Sequence, residues 1–199
     1  RVVLDIVKLL RNHPCIIEWS GGNEMAWQQD TIHPALTAAR EIISKEDGRF
    51  FRATCPAQGV RHAPWDYNPL IHYKLYNSES MRDQTGKYPM MRNGEFGVQT
   101  PNNIDLLKRT IPPKSRFPIN KKDPILIRKN MICAAFNDEV WLMPANIEQL
   151  FGKAETFEEL IIAGQWMAAE GLRYAFDALR LRTNIGGFTN WCLNEPWPN

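Results

Sequence analysis

Apolar residues open the chain at helical spacing. Val2, Val3, Ile6, Leu9 and Leu10 fall on one face, and the pattern stops at the "RNHP" of Arg11 to Pro14. Behind that stop, Cys15 to Trp19 is an apolar and β-branched run that predicts a short buried strand, and "SGGNE" follows as a turn into solvent. The stretch "DTIHPALTAAREIISKEDG" predicts a helix with Pro34 in its first turn and Gly48 at its close. "RFFRATCP" predicts a strand, "PLIHYKLYN" a weaker one after a Pro/Trp loop, and "YPMMRNGEFG" a third that runs into a glycine-flanked carboxylate. The clearest helix is "TFEELIIAGQWMAAEGLRYAFDALRLR". Thr156 and Glu159 are spaced as a capping box, and its inner stripe is Leu160, Ile161, Gly164, Ala168, Leu172, Ala175 and Leu179. "GGFTNWCLNEPWP" predicts a closing strand.

Strands that alternate with helices predict an α/β chain built on a parallel sheet, and no self-similar period of 20 to 50 residues suggests repeats. The region from 101 to 152 is dense in proline and reads as irregular, an insertion over one end of the fold. Within it, Asp105 to Asn130 carries eight Lys or Arg against two Asp. With four prolines and a single aromatic, Phe117, that stretch lacks the run of interleaved aromatics that stacks bases and reads as a solvated loop.

Composition narrows the function classes. A chain of 199 residues with 44% hydrophobic content and seven Trp buries a core as one domain, 1–199, and a net charge of +2 gives no general affinity for nucleic acid. No apolar run approaches the roughly 20 residues that span a bilayer, so no membrane partner is expected. The four cysteines are scattered, which signals neither a zinc site nor a disulfide framework; no metal and no cofactor are expected. The chain opens directly in a helix without a cap, as if cut from something longer.

Two glutamates stand apart. Glu24 in "GGNE" and Glu95 in "NGEFG" each follow a strand among small residues, 71 positions apart. The C-terminal edge of a parallel sheet is where α/β barrels carry their chemistry. Glu18 lies inside the first strand and needs a partner if it faces inward. Arg52 on the next strand is the candidate, with an outward, solvated Glu18 as the alternative.

The stretches "RNHPCIIEWSGGNE", "GEFGVQT" and "AEGLRYAFDALRLR…GGFTNWCLNEPWP", with "HYKLYN" as a fourth, resemble glycoside hydrolase family 2 in its β-mannosidase and exo-β-glucosaminidase-like branch. The resemblance implies a (β/α)8 TIM barrel of which this chain supplies the third helix through the eighth strand, with "HYKLYN" as strand six. It implies a retaining exo-acting β-glycosidase, with β-mannoside favoured over β-galactoside, β-glucuronide or β-glucosaminide. Glu24 falls on the general acid/base and Glu95 on the nucleophile.

Asn23 falls on the residue that holds the sugar 2-hydroxyl, and Trp191 on the apolar floor under the ring. His72, Tyr73 and Tyr76 are candidates to reach Glu95 from a neighbouring strand. Tyr73 or Tyr76 would keep Glu95 ionised by hydrogen bonding, leaving the proton on Glu24. Trp65, Asn194, Glu195 and Trp197 are rim candidates. Gly94 stands where the family often has Ser, and Glu195 where it usually has Asp. The expected partners are an oligosaccharide or glycoside substrate, together with the remaining strands and accessory domains of a longer protein in an extracellular, periplasmic or lysosomal setting. The reading from another class is a carbohydrate-binding pseudoenzyme that kept the fold and lost turnover.

Overall fold

The computed structural model describes residues 1–25, 33–65, 67–77, 81–83, 85–129, 131 and 141–193. They form two compact units. The first comprises Arg1–His62, Glu79–Glu95 and Thr183–Thr189, the second Ala63–Ser78, Phe96–Arg182 and Asn190–Asn199.

In the first unit, helix α1 (Val2–Leu10) packs on α2 (Pro34–Glu46). The apolar side chains Val7, Leu36, Ala39, Ile43, Phe51 and Ala53 form its core. Pro34 sits at the start of α2 as its spacing predicts, and Gly48 beyond its end adopts φ +78°, a left-handed geometry that glycine takes at no steric cost. Strand β1 (Glu18–Ser20) pairs in parallel with β2 (Phe50–Arg52), in the register Glu18 to Phe50 and Ser20 to Arg52. The strand predicted over Cys15 to Trp19 thus begins three residues later, and Cys15 and Ile17 are exposed.

Gly21 explains why the apolar run ends in glycine. A Cβ there would lie 2.8 Å from the Ala53 carbonyl oxygen and 2.9 Å from Leu36 Cδ2, so only glycine lets the chain pass this close to β2 and α2.

A second sheet holds β3 (Val60–His62), β4 (Arg92–Phe96) and β5 (Gly187–Asn190) in that order. β3 and β4 are parallel, with an irregularity between Arg61 and His62 that places His62 opposite Glu95. The bonds Gly186 N–H to Met91 O and Trp191 N–H to Phe96 O advance together along both chains, as parallel neighbours do.

Two sequence expectations change here. A single contiguous arc of strands is not formed among the described residues, because the ladder breaks between β2 and β3. After β2 the chain turns, with Val60 N–H bonding to Ala57 O at 3.1 Å. The Arg52 guanidinium fills the break and donates to the carbonyls of Ala57 and Gln58. The strand preceding β4 is also Val60–His62 rather than "HYKLYN".

"PLIHYKLYN" is helix α3 (Pro69–Asn77) of the second unit. Proline opens it, and His72 and Tyr76, four residues apart, are buried against Tyr174, with ring centroids at 6.3 and 6.1 Å. A short mixed run fits either period, and packing on the long helix selects the helical one.

The rest of the second unit comprises α4 (Ile104–Thr110), a 3-10 turn at Pro113–Ser115, α5 (Pro124–Arg128), α6 (Pro144–Phe151) and α7 (Phe157–Arg180). The described residues of the region expected to be irregular therefore contain three short α-helices and a 3-10 turn. Asn103 and Asp123 cap α4 and α5 by accepting backbone N–H groups. Leu107, Ile111, Leu126, Met131, Leu142 and Ile147 form one core with Phe157, Leu160, Ile161 and Met167 of α7. Of the basic residues read as a solvated loop, Lys108, Arg109 and Arg128 lie on α4 and α5, whose Leu107 and Leu126 are buried.

In α7, Thr156 accepts the Glu159 N–H at 3.2 Å, while the Glu159 carboxylate reaches back to the Glu155 N–H at 2.8 Å. Its buried face matches the predicted stripe, with Met167 and Gly171 added and Leu172 only half-buried. No helix among the described residues is long and apolar enough to cross a membrane.

Candidate active site

Glu24 lies where the chain leaves β1. Three hydrogen bonds hold this segment against the one after β2: Cys55 N–H to Gly22 O at 3.0 Å, Glu24 N–H to Cys55 O at 2.5 Å, and Met25 N–H to Thr54 Oγ1 at 3.0 Å. The ladder forces Glu24 to φ +50°, a left-handed conformation uncommon for a residue with a long side chain. Such strain costs about 1–3 kcal/mol and gathers at functional sites. Asn23 is exposed and forms a parallel bridge with Cys55, so its backbone belongs to this ladder.

Glu95 projects from β4. His62 stands between the two glutamates. Its side chain is buried, and its Nδ1 lies 2.8 Å from Glu24 Oε1 and 3.6 Å from Glu95 Oε2. One oxygen from each carboxyl and the ring nitrogen all lie within 4.8 Å of one another. That spacing would also admit a cation. Burial pushes the Glu95 carboxyl above its ordinary range; the nearby His62 pulls it down and the Glu24 charge adds to the rise.

On the far side of the imidazole, Nε2 meets Cys55 Sγ at 3.0 Å. Burial pushes this thiol up, against the lowering pull of Arg92 and Arg52. Gly94 makes the contact fit, since a Cβ at that position would lie 3.0 Å from both Sγ and Nε2 and 2.7 Å from Val60 Cγ1.

Below the pair, Glu18 takes two arginines, Arg52 at 3.1 Å and Arg92 at 2.5 Å. The expected partner is there with a second beside it, and the inward, paired reading of Glu18 holds.

Sequence reasoning missed His62 and Cys55. The signal was "GVRHAPW", where a β-branched residue, a histidine and a loop follow the proline-rich turn, but "HYKLYN" drew the strand assignment instead.

The remaining candidates belong to the second unit. His72 and Tyr76 are buried in an aromatic cluster with Tyr67 and Tyr174, and Tyr73 is exposed. Trp65 meets Trp191 edge-on at 6.0 Å, and Trp141 stacks near Trp191 at 6.4 Å. The peptide bond between Trp191 and Cys192 is cis. A cavity of about 490 Å³ is lined by Asn102, Asn103, Trp141, Gln165, Asn190 and Trp191 among others, and no charged residue lines it among the described residues. Trp141 Nε1 and Asn190 Oδ1 are buried without a hydrogen-bond partner among the described residues. Asn194, Glu195 and Trp197 lie outside the described residues.

Comparison with solved structures finds the same fold inside larger glycosidases. A β-D-mannosidase from Dictyoglomus thermophilum superposes with a TM-score of 0.69 at 18% identity, over 98% of this chain and 25% of that one. The exo-chitosanase CsxA from Amycolatopsis orientalis gives 0.62 at 17% identity, over 98% and 24%. The same enzyme, described as an exo-β-D-glucosaminidase in a structure with inhibitors, gives 0.65 at 17%, over 98% and 24%. This chain spans about a quarter of the length of the solved structures it matches. At that identity the likeness is one of fold. No family model and no curated protein matches the sequence.

Proposed function

We propose that this chain is the part of a retaining exo-β-glycosidase that carries both catalytic carboxyls, in a (β/α)8 barrel completed by further protein. The observation that carries the reading is the approach of Glu24 and Glu95 to within 4.8 Å at the ends of parallel strands. Retaining glycosidases need two carboxyls about 5 to 5.5 Å apart, whereas inverting ones leave room for water at about 6.5 to 9.5 Å.

In this reading the Glu95 carboxylate attacks the anomeric carbon, and the glycosidic C–O bond breaks as Glu24 gives its proton to the leaving oxygen. Glu24 then takes a proton from water, the hydroxide oxygen displaces Glu95, and the sugar leaves with its β configuration kept. At an effective dielectric of about 20, two carboxylates this close repel by roughly 3 kcal/mol, which keeps one proton on the pair. Burial raises the Glu95 carboxyl in the free protein, while attack requires Glu95 ionised. The order of roles rests on the motif resemblance.

The test uses the complete enzyme and does not require its natural sugar. With p-nitrophenyl β-glycosides, Glu95→Ala abolishes turnover. Glu24→Ala is rescued by azide, yielding a β-glycosyl azide, because the aryloxide leaves without protonation and azide attacks without a base. A 2-deoxy-2-fluoro glycoside leaves its mass on the peptide containing Glu95. A label on Glu24 exchanges the two roles. Unimpaired activity in both variants removes the glycosidase reading, and sugar binding without turnover in the unmutated protein favours a carbohydrate-binding pseudoenzyme.

A further inference from the structure

We propose that Cys55 is a positioning residue whose thiol, donating to His62 Nε2, holds the imidazole with its Nδ1–H aimed at the two glutamates. The proposal deepens the glycosidase reading and rests on it for the consequence in catalysis. Nδ1 faces one oxygen of each glutamate, at 2.8 and 3.6 Å. With one proton shared by the pair, one of the two carboxyls is an ionised acceptor, and the nearer oxygen, Glu24 Oε1 at 2.8 Å, is at hydrogen-bond distance, so the ring proton belongs on Nδ1. The lone pair of the neutral ring then lies on Nε2, where Cys55 Sγ stands at 3.0 Å. An S–H there can donate to that lone pair, because a thiol is a donor as well as a weak acceptor. The half-buried thiol is pushed up by desolvation and keeps its proton.

The same residue acts a second time through its backbone, since its carbonyl accepts the Glu24 N–H and its N–H bonds to Gly22 O. Cys55 therefore ties the main chain of Glu24 and the ring that contacts the Glu24 carboxylate to one point. Gly94 belongs to the same arrangement: a Cβ there would press on both Sγ and Nε2. Glycine at this position makes room for the thiol and imidazole to meet.

The experiment combines a spectroscopic reading with kinetics. Imidazole 15N shifts are recorded for the protein labelled at its four histidines, with His62 assigned by the signal lost in His62→Gln. The expected result is His62 as the Nδ1–H tautomer in the unmutated protein and in Cys55→Ser, which keeps a donor. In Cys55→Ala the preference relaxes toward Nε2–H. With a p-nitrophenyl glycoside, kcat of Cys55→Ala falls about fivefold, the worth of one ordinary hydrogen bond, while KM holds and Cys55→Ser stays within about twofold. An Nε2–H tautomer in the unmutated protein, or a tautomer unchanged by Cys55→Ala, overturns the proposal. So does a kcat unaffected by Cys55→Ala in an active enzyme. The expected 15N pattern in a protein that turns over no glycoside keeps the positioning role of Cys55 and rejects the glycosidase reading. If Cys55→Ala does not fold, Cys55→Val takes its place, since it fills the site without a donor and answers the same two measurements.

Discussion

Glu18 of β1 and Arg92 of β4 meet at 2.5 Å, joining two sheets that no backbone ladder connects among the described residues. Arg52 completes the cluster from β2, with its side chain only 4% exposed. A guanidinium that buried is tolerable only with its charge paired and its N–H groups bonded. Glu18→Ala should therefore destabilise the fold by about 3 kcal/mol, because it strands Arg52. Urea unfolding reads the change. A loss of under about 1 kcal/mol would show that the carbonyls of Ala57 and Gln58 suffice to hold Arg52.

The position of Glu95 sets a pH dependence of stability. Burial holds its folded carboxyl above the ordinary value of 4.5, so ionising it works against the fold. Its favourable contribution is fully present below that ordinary value and is lost as pH rises through the raised one. Glu95→Gln should accordingly be more stable than the unmutated protein at neutral pH, with the gap closing below about pH 4. Thermal melts across pH test this. A gap that widens on acidification would reverse the sign.

Cys55 should be the slowest of the three described cysteines to alkylate. Its thiol is half-buried and pushed up, whereas Cys15 and Cys192 are exposed. The thiolate is the reactive form, so iodoacetamide near pH 7 should modify the Cys15 and Cys192 peptides first. Peptide mass spectrometry gives the order. Preferential labelling of Cys55 would mark it as an activated nucleophile, paired with His62 for chemistry of its own.

In the second unit, Trp141 Nε1 and Asn190 Oδ1 present a buried donor and a buried acceptor without partners among the described residues, in residues that line an uncharged cavity. A ligand hydroxyl satisfies either group, and indole faces pack on pyranose C–H bonds. Neutral sugars should quench the tryptophan fluorescence of the protein. Trp141→Phe and Asn190→Ala should each weaken that binding about fivefold, one hydrogen bond's worth. Affinities unchanged in both variants would separate the cavity from sugar recognition.

Gly94→Ala tests how tightly the centre is packed. The added methyl would lie 2.7 Å from Val60 Cγ1, on a strand with little freedom to retreat. Overpacking of this kind costs about 1–3 kcal/mol, and here it also displaces the contact between Cys55 and His62. Reduced stability together with lowered turnover is the expected result. Full activity would mean that the sheet yields without disturbing the imidazole.

Much of the chain was legible because its signals are local. Pro34 and Gly48 bracket α2, Thr156 opens α7, and the apolar stripe of α7 repeats at helical spacing. Each is settled by residues within a turn or two of one another. The two glutamates were legible for a similar reason, each lying among small residues at a strand end. Between 101 and 152 the high content of proline and charge hid Leu107, Ile111 and Leu126. Their burial depends on α7, which follows later in the chain. Only tertiary structure chose helix for "PLIHYKLYN", since nine residues of mixed pattern acquire a period only when Tyr174 is there to pack on. The sharpest case is the centre itself. Glu24, Cys55, His62 and Glu95 come from four separated segments, and no spacing along the chain records that a thiol and an imidazole should meet beside two carboxyls. Strand register decides that meeting, through a one-residue irregularity after Arg61 that places His62 opposite Glu95. Register is a property of paired strands, set by the backbone bonds between them, and it exists only once they have met.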